Sequence, residues 1–286
     1  MAQQLQRRRH ANRSHPGPEL CTLDSRLHTD DMTSPVSFHD RYQMILGVRF
    51  FIGTAQEAIN EISREGGLVI VPAAPALKNL PRDKGYREAL LGADFALADS
   101  VLMVLLWNLM QRNRIAKLSG LKYLRALIEQ ADFRPCGRSF WVMPSRDAAE
   151  RNAAWLRAKG VSVGDEDVHV APIYGAEIRD PVLLERLEQH RPKHVVLGIG
   201  GGIQERLGFY LKQNLSYQPA IHCVGAAIAF LSGDQVRIPV WADKLGLGWL
   251  WRSISNPKRY VPRYWDARHL VPLMLRYRDR LPIAGS

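Results

Sequence analysis

From Gln43 onward, short apolar runs alternate with stretches in which apolar residues recur every three or four positions, a pattern that predicts strand–helix–strand units. Met44-Ile45-Leu46-Gly47-Val48-Arg49-Phe50-Phe51 reads as one strand. Thr54-Ala55-Gln56-Glu57 is a capping box: the Thr hydroxyl and Glu carboxylate can satisfy free N–H groups, opening a helix to about Arg64. Further strands are expected over 67–72, 95–98, 139–143, 168–171, 193–199 and 220–224. Helices are expected over 100–113, 119–131, 145–159, 180–190 and 203–214, with Pro181 at a first helical position, where a missing N–H costs nothing. This order implies an α/β, Rossmann-like domain: a largely parallel sheet flanked by helices, with binding sites at the carboxyl ends of its strands. Residues 1–40 are polar with neither period and are expected to be disordered. The α/β core is assigned to 41–236. After Gly233 the pattern turns helical, basic and aromatic, so residues 237–286 are expected to form a separable helical appendage.

Composition adds one anomaly. The chain has 286 residues, 46% hydrophobic and 23% charged, an ordinary globular balance, but a formal net charge of +11. The stretch from Arg237 to Arg280 holds ten Lys/Arg against three acids, net +7, with four of the seven tryptophans: Trp241, Trp249, Trp251 and Trp265. Such a segment suits a phosphate-bearing membrane surface. It also suits single-stranded nucleic acid, or simply a solvated helical face with its Trp residues turned inward. No apolar run reaches the ~18–20 residues of a membrane span. The longest, Val101–Met110, is either buried in the monomer or a face for self-association. Arg7-Arg8-Arg9 leads into no apolar segment, so no signal peptide is expected. Cys21, Cys136 and Cys223 are too scattered for a disulfide framework or a CxxC metal site, which fits a reducing compartment.

Two loops at predicted strand ends carry candidate chemistry. Ala98-Asp99-Ser100 sets a carboxylate at the mouth of a helix, where it could cap that helix or take a proton from an acceptor hydroxyl as a general base. Gly198-Ile199-Gly200-Gly201-Gly202-Ile203-Gln204-Glu205 runs from strand into helix. Glycines there let the backbone approach a phosphate while the helix start supplies N–H donors; a tight turn with no ligand uses the same residues. The glycine spacing departs from GxGxxG, and no acidic ribose partner follows about twenty residues later, which argues against a dinucleotide. No HExxH, GxSxG, Walker or DxD pattern occurs. His194 and His222 fall in or beside strands, where a packed histidine is the simplest explanation, and Asp165-Glu166-Asp167 reads as a solvated turn rather than a metal site.

In order along the chain these residues resemble the bacterial WecG/TagA/CpsF glycosyltransferases from about Met44 to Tyr264. Ile45-Leu46-Gly47-Val48 and Thr54-Ala55-Gln56-Glu57-Ala58 are similar to the family's opening strand and helix. Ala98-Asp99-Ser100 resembles its N-A-D-G segment, Ser119-Gly120 its R-x-x-G turn, and Val196–Gly200 with Gln204-Glu205 its V-G-L-G-x-P-x-Q-E loop. Val224-Gly225-Ala226-Ala227 with Gly233 resembles V-G-G-A-F-D-F-x-x-G. Arg237-Ile238-Pro239-Val240-Trp241, Gly246–Trp249, Arg252, Pro257, Arg259 and Arg263-Tyr264 follow the family's C-terminal pattern.

The resemblance implies an inverting transfer from a UDP-sugar to an undecaprenyl-diphosphate-linked saccharide, in cell-surface or exopolysaccharide assembly. No metal and no further cofactor is implied. The enzyme would be cytoplasmic, held peripherally at the inner face of the membrane, with no nucleic-acid partner. Asp99 would be the base. Gly198, Gly200, Gly201, Gln204, Glu205 and Gly225 would hold the donor, and Arg237, Arg252, Arg259 and Arg263 the lipid diphosphate. Five polar family positions are replaced, by Val71, Ala73, Pro75, Ala229 and Gly248. These replacements suggest a donor other than the family's N-acetylmannosamine type. The alternative is a catalytically degenerate relative that binds lipid intermediates as a scaffold.

Overall fold

The structure is a computed structural model and describes residues 41–175, 177–233 and 248–285. The expected disorder of 1–40, the boundary near 236 and Arg237 lie outside the described residues.

Among the described residues eight strands form a single sheet: β1 (Tyr42–Ile45), β2 (Val48–Phe51), β3 (Gly67–Ile70), β4 (Phe95–Ala96), β5 (Ser139–Met143), β6 (Val168–Val170), β7 (His194–Leu197) and β8 (Ala220–Cys223). Their spatial order is β1-β2-β4-β3-β8-β7-β5-β6. Only the β1–β2 pair is antiparallel; every other neighbouring pair is parallel. The predicted strand over 44–51 is therefore a hairpin. Leu46 and Gly47 both take left-handed backbone, φ 51° and 74°, and turn the chain in two residues. The apolar alternation hid this turn because Leu46 is itself buried.

The central strands β3, β5, β7 and β8 are buried along their whole length, as expected where helices cover both faces. One face packs on helices α1 (Ala55–Glu65), α5 (Gly120–Ile128), α6 (Arg146–Ala158) and α9 (Ala227–Ser232). The other packs on α2 (Ala74–Leu77), α3 (Lys84–Gly92), α4 (Val101–Met110), α7 (Pro181–His190) and α8 (Ile203–Asn214). Side chains alternate accordingly: Leu68 and Ile70 of β3 face the second set, Val69 the first.

The C-terminal residues form α10 (Gly248–Ser255), α11 (Pro257–Asp266), a short 3-10 turn and α12 (Leu270–Tyr277). Ala267, Leu270, Met274 and Tyr277 are buried in the same cluster as α4. Leu46 and Gly47 donate their N–H groups to the carbonyls of Arg278 and Asp279, 2.7 and 2.9 Å away. The C-terminal helices thus pack on the α/β core and are hydrogen-bonded to its first hairpin.

Several helix starts follow the predicted caps: Thr54, Ser100, Ser119, Ser145 and Asp180 each accept from a backbone N–H in the first turn. Helices α2, α3 and α9 were not anticipated. The helix expected over 100–113 stops at Met110 because its own side chains fold the following loop back. The Trp107 indole donates to the Asn113 carbonyl, and the Asn108 amide pairs with both backbone groups of Ile115.

Candidate active site

A cleft of about 600 Å³ opens at the carboxyl ends of β3, β4, β8, β7 and β5, where the loops of the parallel sheet converge. Its wall includes Val71 and Ala73 after β3, Asp99 and Ser100 after β4, Pro144 after β5, Gly198 to Gly201 after β7 and Val224 to Ala227 after β8. Because all these strands point the same way, the helices that follow them start at the cleft. The N-termini of α2, α4, α5, α8 and α9 all contribute to it. Their peptide dipoles give the cavity a positive bias, the setting for a diphosphate.

The five starts are not equivalent. Ser100 and Ser119 cap α4 and α5 through side-chain oxygens 3.2 Å from the N–H groups of Met103 and Lys122. Helices α8 and α9 have no side-chain oxygen cap at their first position, Gly202 and Ala226. At α8 the glycine loop itself is braced from behind. The Glu205 carboxylate accepts from Gly202 N–H at 2.6 Å and from the Gln204 amide at 3.1 Å, while Gln204 Oε1 accepts from Gly225 N–H at 2.7 Å. Gln204 thereby ties the loop after β7 to the loop after β8.

Glu205 is completely buried and lies outside the cleft lining, so its place is support of the loop. Burial pushes its carboxyl above the usual range, against the hydrogen bonds that favour the charged form. Gln204 is also buried but reaches the cleft wall.

The glycines divide by what surrounds them. A Cβ on Gly198 would sit 3.1 Å from Ile228 Cγ2, so packing alone accounts for that glycine. Gly202 and Gly225 have φ of +90° and +61°, backbone that favours glycine whatever else is present. Gly200 and Gly201 are exposed, lie outside the left-handed region, and would place a Cβ against no protein atom. Neither packing nor backbone conformation requires glycine at those two positions.

Asp99 follows β4 in a tight turn, its N–H bonded to the Leu97 carbonyl at 3.0 Å, and is half-buried on the cleft wall. Among the described residues it is the single carboxylate lining the cleft. The Leu118 N–H bonds to the Ala98 carbonyl at 3.0 Å, which draws the loop before α5 alongside this turn and brings Lys117 into the wall. Lys117 was not singled out from sequence; its position two residues before the Ser119 cap was the available signal. Asn152 was also missed. It is buried at the cleft floor, its Oδ1 accepting from the Ser232 hydroxyl at 2.6 Å.

Of the residues suggested for a lipid diphosphate, Arg252 lies on α10 and Arg259 and Arg263 on α11; their side chains are outside the described residues. The two helices do reach the cleft, through Gly248, Tyr260 and Tyr264, the two tyrosine rings stacked 6.3 Å apart. Lys78 holds the far end of α11 through a 2.8 Å ion pair with Asp266. The five replaced positions, Val71, Ala73, Pro75, Ala229 and Gly248, all line the cleft. Among the described residues one group has metal-ligand spacing, Cys136, Glu166 and Asp167. It lies at the amino ends of β5 and β6, away from the cleft, and Asp167 is buried there rather than solvated as its turn suggested.

Sequence comparison agrees with this geometry. The model of the glycosyl transferase WecG/TagA/CpsF family matches residues 43–282. A protein of Bacillus spizizenii (strain W23) is 25% identical over 218 residues, covering 72% of this chain and 80% of its own length. One of Bacillus subtilis (strain 168) is 21% identical over 189 residues, covering 64% and 71%. Both bear the name N-acetylglucosaminyldiphosphoundecaprenol N-acetyl-beta-D-mannosaminyltransferase.

Proposed function

The chain belongs to the WecG/TagA/CpsF glycosyltransferase family, and we propose that it transfers a sugar, with inversion, from a UDP-sugar to a polyprenyl-diphosphate-linked saccharide at the inner face of the cytoplasmic membrane. The observation that carries this reading is the shared cleft: one carboxylate, Asp99, lines the same cavity as the exposed glycines Gly200 and Gly201 ahead of α8.

The chemistry follows from that arrangement. The Asp99 carboxylate takes the proton of the acceptor hydroxyl as its oxygen attacks the anomeric carbon from the side opposite the nucleotide. The bond from the anomeric carbon to the phosphate oxygen breaks, and UDP leaves with the electron pair. Charge growing on the leaving diphosphate is met by the N–H groups at the starts of α8 and α9 and by Lys117. Donors fixed in the backbone need no reorganisation at that moment. Tyr260 and Tyr264 close the acceptor side, and the basic C-terminal stretch supplies the attraction to anionic lipid, at roughly 1 kcal/mol per basic side chain near the surface.

The acceptor class is supported by the names of both relatives, which specify an undecaprenyl-diphosphate-linked N-acetylglucosamine. Their donor is an N-acetylmannosamine sugar; here Val71, Ala73 and Ala229 present apolar groups where the family has polar ones. Each lost hydrogen bond removes about 0.5–1.5 kcal/mol, so the donor carries fewer polar contacts on that wall. The same replacements favour a second reading, a non-catalytic scaffold for lipid intermediates.

Coupled measurement of UDP release, with a panel of UDP-sugars and a polyprenyl-diphosphate N-acetylglucosamine acceptor, separates the two. Acceptor-dependent release for one donor, lost in Asp99→Asn, supports the transferase. Vesicle binding with no release from any donor would leave the scaffold.

A further inference from the structure

Helix α4 has the composition VLMVLLWNLM, with no charged residue. Its inner face, Met103, Val104 and Trp107, is buried in the core, and Asn108 is occupied by Ile115. A surface helix ordinarily turns polar residues outward. The outer face of α4 is instead Val101, Leu105 and Leu109, one i, i+4 row, flanked by the half-buried Leu102, Leu106 and Met110. Leu105 is 63% exposed and Leu109 84%. The row begins inside the reaction cleft, where Val101, Leu102 and Leu105 line the wall beside Asp99, and runs outward for about 12 Å.

Charge identifies what covers it. From Ser100 to Ile128 there is no acidic residue, while Arg112, Arg114, Lys117, Lys122 and Arg125 all follow the leucine row. Arg112 and Arg114 are exposed directly beyond the end of α4. A two-fold contact between copies would set this patch against itself, like charge on like charge. An anionic phospholipid surface offers hydrocarbon for the leucines and phosphate for the arginines.

We propose that α4 is an interfacial membrane helix whose Leu105–Leu109 ridge enters the hydrocarbon boundary of an anionic bilayer. The cleft mouth then opens at the lipid surface, and a polyprenyl-linked acceptor reaches Asp99 by sliding along the ridge without leaving the membrane. The inference rests on the lipid-linked acceptor of the proposed function, but its readout needs no turnover.

The test places an environment-sensitive nitrobenzoxadiazole label on Leu109→Cys in the full chain, with Cys21→Ser and Cys136→Ser. A control label sits on Glu150→Cys, exposed on α6 across the sheet. Vesicles of phosphatidylcholine with and without phosphatidylglycerol are added. A blue shift with enhanced emission at 109 and none at 150, requiring phosphatidylglycerol, is expected. Leu109→Glu should weaken vesicle co-sedimentation about tenfold or more, since one fewer leucine side chain leaves water. A protein that pellets with vesicles while position 109 stays silent would overturn the role of α4 and leave membrane contact to the C-terminal stretch. No pelleting at all would refute membrane attachment and this inference together. Sedimentation velocity showing a dimer that Leu109→Glu dissolves would assign the ridge to a second copy instead.

Discussion

Gly201→Ala separates a phosphate cradle from an ordinary turn, because stability and affinity should move in opposite directions. The added methyl meets no protein atom within 4 Å, and the backbone there is outside the left-handed region. The fold therefore bears no steric or conformational cost. The unfolded chain loses freedom, which stabilises by about 0.4–1 kcal/mol and raises Tm by roughly 1–4 °C for a domain of this size. If a diphosphate lies on the loop, the same methyl occupies the space over the N–H donors. Losing one hydrogen bond to a charged group costs about 1.5–3 kcal/mol, a 10- to 150-fold loss of affinity. Thermal melts without ligand and titration with UDP measure the two effects on one preparation. A variant that is equally or more stable and binds UDP at least tenfold more weakly supports the cradle. Unchanged UDP affinity would refute it, since the methyl projects from the loop itself. Gly202→Ala is the contrast: at φ +90° it should lower stability by about 1–2 kcal/mol before any ligand is added.

Asp99→Asn should lower kcat by about 10²- to 10⁴-fold with UDP affinity and the circular dichroism spectrum unchanged; undiminished turnover would remove Asp99 as the base. Stability should fall between pH 7.5 and 5. Burial holds His194 down to about 4 and keeps His222 well below its usual range, so the unfolded chain binds protons that the fold refuses. Stability is complete above about pH 6.5 and is lost as pH drops toward 4, by about 2 kcal/mol at pH 5 from His194 alone. Equal urea midpoints at the two pH values would contradict this. Truncation after Gly233 should leave an unstable, dye-binding core. It strips Leu270 and Met274 from the interior, each worth about 1.5–3 kcal/mol of burial against a total stability of about 5–15 kcal/mol. A cooperative urea transition at full-length stability would show the C-terminal helices to be dispensable.

The parallel sheet was legible because its strands are buried on both faces and its helices announce themselves with caps. Thr54, Ser100, Ser119, Ser145 and Asp180 each mark a start that local chemistry alone determines. What escaped was set by contacts distant in sequence. The β1–β2 hairpin turns at Leu46, whose N–H is held by Arg278 more than two hundred residues later, so no local pattern could announce it. In the C-terminal helices Lys258, Arg268 and Arg276 are exposed, while Leu270, Met274 and Tyr277, which pack inward, are few and widely spaced, so the pattern there reads as basic and polar. At the site, Asp99 and the glycine loop were visible as types at strand ends. The division of labour between Gln204, which bridges two loops at the cleft wall, and Glu205, which braces the loop from within the core, depends on which way adjacent side chains point. Both were read alike from sequence.

That division bears on how far the replaced residues alter the cleft. The donors proposed for the diphosphate are main-chain N–H groups on loops that Glu205 and Gln204 brace through Gly202 and Gly225, and the side chains of Val71, Ala73 and Ala229 take no part in that bracing. A backbone cradle is indifferent to side-chain identity so long as its bracing carboxylate and amide remain. Side-chain contacts to a sugar are not, since each ends with the residue that made it. Loss of polar groups on the wall with the bracing intact is therefore the pattern expected of a changed sugar on an unchanged nucleotide. A scaffold released from catalysis would have no need to keep Glu205 buried at the cost of desolvating its carboxylate. Binding of UDP by the full-length protein, with affinity lost in Glu205→Ala and largely kept in Ala73→Asn, would bear out that separation. Dependence of UDP affinity on the residue at position 73 would overturn it.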